Sequence, residues 1–174
     1  MTKYFIVILL LLLPRVGYPL VKVAFLEVKG PDGKNLELEA GAPFAHLAIS
    51  YRGQWLHALP AHGVELVTEE QLEEIGSVAA VIEMEDQDEP ATDFVNSILG
   101  SPYEMSFSWD SNRYYCSKLV GKILHLVPEP MNFNAPAWPE YFHKYNGLPG
   151  ISPQAVFRQL VAKGYTPHST PTYR

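Results

Sequence analysis

A chain of 174 residues that is 47% hydrophobic has the material for one domain with a substantial core. Its formal net charge of -6, with no basic stripe anywhere, argues against a nucleic-acid partner. A single cysteine, Cys116, excludes an internal disulfide framework and any cysteine-rich metal site.

Lys3 precedes an unbroken apolar run over residues 4–13, closed by Pro14. A basic start followed by a short apolar stretch has the layout of a secretory signal, and the stretch is too short to span a bilayer. Residues 1–18 are therefore read as a signal peptide, with an uncleaved anchor as the alternative, because Arg15-Val-Gly-Tyr18 is not a small-x-small cleavage pattern. The expected location is outside the cytoplasm, periplasmic or secreted.

Residues 20–28 are rich in β-branched side chains and partly alternate, which predicts a first strand, followed by a turn at Pro31-Asp-Gly33. Residues 44–51 and 54–59 are two strand-like runs joined by Arg52-Gly53, a hairpin signature. With a two-residue loop, Tyr51 faces Gln54 and Ala48 faces His57. His46 and His57 then share a sheet face as diagonal neighbours, roughly 7–8 Å apart at the backbone. A three-residue loop would put them on opposite faces. Two histidines on one face have three readings: packing residues, metal ligands together with His62 or Cys116, or a general base with its orienting partner.

Residues 63–67 read as another strand, and Thr68-Glu-Glu-Gln71 has the spacing of a capping box opening a helix through Ile75. Residues 77–84 read as a further strand, the acidic run 83–89 as a solvated loop, and 92–99 as a helix capped by Thr92 and stopped at Gly100. Beyond it, Leu119, Val120, Ile123 and Leu124 recur at helical spacing, with Cys116 one turn earlier. A helix N-terminus favours a thiolate, which would make Cys116 a nucleophile; a small buried hydrophobe is the plainer alternative.

These residues resemble a family. Gly100-x-Pro-Tyr103, then Tyr115-Cys116-Ser117-x-Leu119-Val120, resembles the nucleophile region of NlpC-type, papain-fold cysteine peptidases. His46-Leu-Ala-Ile-Ser-Tyr51 resembles that superfamily's H-V-G-I-Y strand, and Leu56-His57-Ala58 its I-H-A strand. Both histidines precede the cysteine, as in the circularly permuted, YiiX-like branch, and Gly150-Ile-Ser-Pro153 resembles the closing segment of that group.

The resemblance implies an α+β papain-like fold over residues 20–166, with an antiparallel, partly barrel-like sheet packed against the cysteine helix. It implies a thiol-dependent hydrolase (peptidase or amidase) without a cofactor or metal. Cys116 would be the nucleophile, His46 the general base and His57 the orienting third residue, with His62 a rival for that place. Tyr103 and Tyr115 would line the substrate site, Tyr103 assisting the oxyanion. An imidazolium beside Cys116 should lower the thiol below its usual pKa of about 8.5. Lys118 stands where many YiiX-like sequences have Glu, and Tyr115 where ordinary members have Asp.

The implied substrate is a cell-wall peptide or an acyl lipid, and peripheral membrane contact stays open for a protein expected to be a monomer. The alternatives are an acyltransferase, an inactive binding module that keeps the cleft, and a zinc site of His46, His57 and Cys116.

The proline-rich segment 127–153 carries Phe133, Trp138, Tyr141, Phe142 and Tyr145, and reads either as a packed irregular loop or as a wall over the site. A last helix is expected from Ser152 as cap to Ala162, and residues 167–174 as a flexible tail.

Overall fold

The computed structural model describes residues 20–169; the signal-like segment lies outside them. Eight strands and four α-helices follow in the order β1 (Val21–Glu27), β2 (His46–Tyr51), β3 (Gln54–Leu59), β4 (Gly63–Val67), α1 (Glu69–Ile75), β5 (Ser77–Met84), α2 (Thr92–Ile98), α3 (Cys116–Ile123), β6 (Glu129–Pro130), β7 (Pro149–Gly150), α4 (Pro153–Ala162) and β8 (Pro167–Ser169). A single 3₁₀ segment, Glu140–Tyr145, lies between β6 and β7. The main sheet runs β4-β3-β2-β1-β5-β8, with every pairing antiparallel, and β6 and β7 form a separate ribbon. The class is the expected α+β.

The hairpin between β2 and β3 has the expected register: Tyr51 pairs with Gln54, Ser50 with Trp55 and Ile49 with Leu56. Arg52 and Gly53 both take positive φ, 49° and 77°, as a two-residue turn of the primed type requires.

Strand alternation divides the core between the two sheet faces. Val23, Phe25, Leu47, Ile49 and Leu56 belong to the larger cluster, which also holds Leu119 and Val120 of α3 and Val156 and Leu160 of α4. Ala24, Leu26 and Ala48 face a smaller cluster closed by Leu72 of α1. α1 is short and strongly amphipathic, so its capping box matters: Thr68 accepts from the Gln71 N–H while the Gln71 side chain accepts from the Thr68 N–H.

Two expectations change. Thr92 starts α2 but does not cap it; its hydroxyl instead accepts from Tyr51 and Arg52, tying α2 to the hairpin. The start of the expected tail is a strand: Pro167, His168 and Ser169 pair with Ile82, Val81 and Ala80. An edge strand with free backbone groups on β5 recruited those residues, a long-range pairing that local composition does not encode.

β4 is also covered. Val64 N–H donates to Ser101 O, and Gly100 N–H to Val64 O, so the loop leading to Tyr103 is laid along this edge. Gly63, at φ 74°, makes the close approach; a Cβ there would collide with the Ser101 carbonyl.

Candidate active site

Cys116 is the first residue of α3, with Tyr115 as an extended N-cap. The helix is amphipathic; Leu119 and Val120 fasten it to the β2–β3 face, and Gly121 lets it approach Trp109 and Ile151. Its start is bolted down by Ile151. The Ser117 hydroxyl donates to the Ile151 carbonyl at 2.7 Å, and the Ile151 N–H donates to the Tyr115 hydroxyl at 3.0 Å. Tyr115 is thus a buried brace whose ring also borders the cleft beside Cys116.

Across the sheet, His46 at the start of β2 and His57 in β3 are both buried. His46 Nε2 and His57 Nδ1 share a hydrogen bond of 3.0 Å, with the rings nearly perpendicular. The two-residue hairpin therefore does what its register promised. Of the rivals for a partner to His46, His57 has the contact. His62 is exposed and bonds Glu65 Oε1 at 2.8 Å instead.

Glu65 escaped the sequence reading. It stands opposite His57 in the β3–β4 ladder, with Oε1 3.5 Å from His57 Nε2. The signal was there: two adjacent strands and a short connection fix the cross-strand partner of His57 once the register is known.

Cys116 and His46 line one cleft of about 260 Å³, whose other walls are apolar: Leu36, Leu38, Met105, Phe107, Trp138 and Phe142 among them. Tyr103 also opens onto it. The 127–153 segment is a wall. Phe133, Trp138, Phe142 and Tyr145 pack with Phe107 into an aromatic cluster, and the Trp138 indole N–H donates to Leu38 O at 2.8 Å. On its other side Cys116 borders a narrow slot that shares Glu39, Met131, Asn132 and Ser152 with a polar cavity of about 280 Å³ containing Arg158 and Glu129.

The expected low thiol pKa is not what this closed site produces. Burial pushes the Cys116 thiol up to about 11, and the N–H groups of Leu47, Ser117 and Cys116 that can donate to sulfur offset this only in part. Burial, and then the neighbouring His57, bring His46 down to about 3. His57 is also lowered, by burial first, although the Glu65 carboxylate pulls the other way. The helix N-terminus favours a thiolate, but desolvation of both partners is the larger effect, so thiol and imidazole rest neutral. Tyr103 is held protonated by burial and then by the proximity of Cys116, so its hydroxyl is available as a donor.

Two further charged side chains, Glu104 and Lys118, are buried near the site. Lys118 is fully buried, and its three N–H groups donate to Ser108 O, Ser111 O and Ser111 Oγ at 2.7, 2.7 and 2.8 Å. Burial lowers it to about 8, with Glu104 opposing. Position alone gives it a place on the dipole; the structure makes it a clamp on the loop that carries Phe107.

His46 Nε2 and His57 Nδ1, being bonded to each other, are not the nitrogens that a zinc ion shared with Cys116 could use. Among the described residues no group of three His, Cys, Asp or Glu side chains is placed to hold a metal ion.

A solved structure, described as the metalloprotein yiiX from Escherichia coli O157:H7, has the same fold: TM-score 0.62 at 20% identity, over 87% of this chain and 96% of that one. No curated protein matches the sequence. A family profile described as "permuted papain-like amidase enzyme, YaeF/YiiX, C92 family" matches residues 55–160, which include His57, Glu65, Tyr103 and Cys116, with His46 just before them. Lying over more than half of the chain, that match makes the protein a member of the permuted papain-like amidases of the YaeF/YiiX family, and a cysteine hydrolase.

Proposed function

We propose that Cys116 is the nucleophile, His46 the general base and His57 its orienter, and that the substrate is an amide or ester with an apolar acyl group. The observation that carries the reading is the cleft itself: Cys116 and His46 stand in the wall of a cavity otherwise lined mainly by aliphatic and aromatic side chains. An acyl chain would lie there, and the leaving group would point through the slot towards the polar cavity of Glu39, Glu129 and Arg158.

His46 Nε2 is engaged by His57, so Nδ1 is the nitrogen left to receive the thiol proton. As sulfur attacks the carbonyl carbon, the proton passes to Nδ1 and a neutral pair becomes an ion pair only while charge develops. The Cys116 N–H and the Tyr103 hydroxyl are the donors for the oxyanion. Collapse expels the amine or alkoxide with a proton from His46, leaving an acyl-thioester that water resolves. An acyl acceptor in place of water would give transfer. A cell-wall peptide is the less favoured substrate, because the walls next to Cys116 offer few polar partners for a peptide backbone.

The first test is a series of 4-nitrophenyl esters and fatty-acyl amides of increasing chain length, set against a dipeptide amide, with intact mass to trap the thioester. We expect kcat/KM to rise about fourfold per methylene until the cleft fills, following about 0.8 kcal/mol per buried CH₂. A flat series with preferred cleavage of the dipeptide amide would overturn the acyl reading, and no turnover of either by a folded protein would favour a binding module. Export in the periplasm or to the outside, with contact to a lipid surface, is the setting that this substrate class and the basic-apolar start of the sequence support. N-terminal sequencing of the mature protein tests it.

A further inference from the structure

Resting on the assignment of Cys116 and His46, we propose that Glu65 is a positioning residue that fixes the tautomers of both buried histidines, so that His46 presents an unprotonated Nδ1. The geometry is a line across three strands: His46 on β2, His57 on β3 and Glu65 on β4. His46 Nε2 meets His57 Nδ1 at 3.0 Å, and His57 Nε2 faces Glu65 Oε1 at 3.5 Å. His57 Nε2 is buried and has no hydrogen-bond partner. Few buried nitrogens stay unpartnered, and this one lies opposite a carboxylate.

A neutral imidazole carries one N–H, so the pair has two arrangements. In the first, His57 carries its proton on Nε2, towards Glu65. Its Nδ1 then accepts from His46 Nε2–H, and His46 Nδ1 keeps a lone pair that can take the thiol proton. In the second, His57 carries its proton on Nδ1 and donates to His46 Nε2. His46 is then protonated on Nδ1, where it cannot act as a base, and the His57 Nε2 lone pair is buried against an anion. The carboxylate disfavours the second arrangement, and so sets the reactive nitrogen two residues away. At rest the coupling is electrostatic, because Glu65 Oε1 is held by His62 at 2.8 Å and stands 3.5 Å from His57. When His46 accepts the proton, the same carboxylate stabilises the new positive charge through His57. The groups facing the pair are Glu65 from β4, His62 from the β3–β4 turn, Cys116 from α3 and Tyr103 from the loop before it.

Long-range ¹H–¹⁵N correlation of the imidazole nitrogens reads the tautomers directly, and the full chain with Cys116→Ala allows it without turnover. Expected is Nε2–H for both histidines, with His57 shifting to a mixture or to Nδ1–H in Glu65→Leu. With Cys116 intact and 4-nitrophenyl octanoate as probe, Glu65→Leu should lose about 100-fold in kcat with KM within about twofold. Glu65→Gln keeps an acceptor without the charge; it should retain the tautomers while the acid limb of kcat/KM moves to lower pH. It also serves if the leucine variant does not fold. Wild-type tautomers and kinetics within about twofold in Glu65→Leu would overturn the proposal, as would an unshifted acid limb in Glu65→Gln. Loss of the Cys116 and His46 assignment would appear separately, as turnover that survives Cys116→Ala.

Discussion

Two buried polar clusters flank α3, and they are finished differently. Lys118 has three N–H groups and three oxygen partners within 2.8 Å. The pair of His46 and His57 is joined by one hydrogen bond, and one nitrogen of His57 has no hydrogen-bond partner. A charge with every valence satisfied holds a loop in one place and has no chemistry left to offer. A histidine pair with open valences is costlier to bury but can move a proton. The difference separates scaffold from reacting groups: Lys118 sits on α3 two residues from Cys116, and the histidine pair on β2 and β3.

The contrast can be broken most directly at the sulfur. Cys116→Ala should lower turnover of an acyl ester by about 10,000-fold or more while the thermal unfolding midpoint stays within a few degrees. Lys118→Met should do the reverse. Stranding three half-buried acceptors costs about 3 kcal/mol, read as a lower urea midpoint.

The pH dependence of stability separates the clusters further. His46 is buried with its pKa lowered from 6.5, so the unfolded chain binds a proton there that the folded chain refuses. Its contribution is whole above about pH 6.5 and is lost as pH falls towards about 3, amounting to about 2 kcal/mol by pH 5. Denaturation of the wild type and of His46→Gln at pH 7.5 and pH 5 should show the wild type losing more. The smallest effect is expected at Ser111→Ala, which removes one of the three acceptors of Lys118. It should cost about 1 kcal/mol and leave kcat/KM unchanged.

How much of this was legible from residues alone follows the range of the interactions. The β2–β3 hairpin was readable because Arg52-Gly53 fixes the turn and the turn fixes the parity of His46 and His57. The capping box of α1 and the Ser152 cap of α4 are local and were readable for the same reason. The ordered set of motifs around His46, His57, Tyr103 and Cys116 gave the fold class. What escaped depends on burial and distant partners. The rise of the Cys116 thiol pKa comes from desolvation that no local motif reports. The role of Glu65 requires the β3–β4 register. The clamp made by Lys118 exists only once the loop of Ser108 and Ser111 is folded over it, and β8 exists only because β5 offers an edge.

Chain order has one more consequence. The histidine hairpin is complete about sixty residues before Cys116 is made, an interval of a few seconds or more at ordinary rates of synthesis. The base and its orienter can therefore assemble early, as a local hairpin. The nucleophile waits for α3 to dock and for Ile151, further on still, to bolt it down. Reactivity thus arrives late in the life of the nascent chain, and a polypeptide halted before residue 151 would carry its thiol without the seat that orients it.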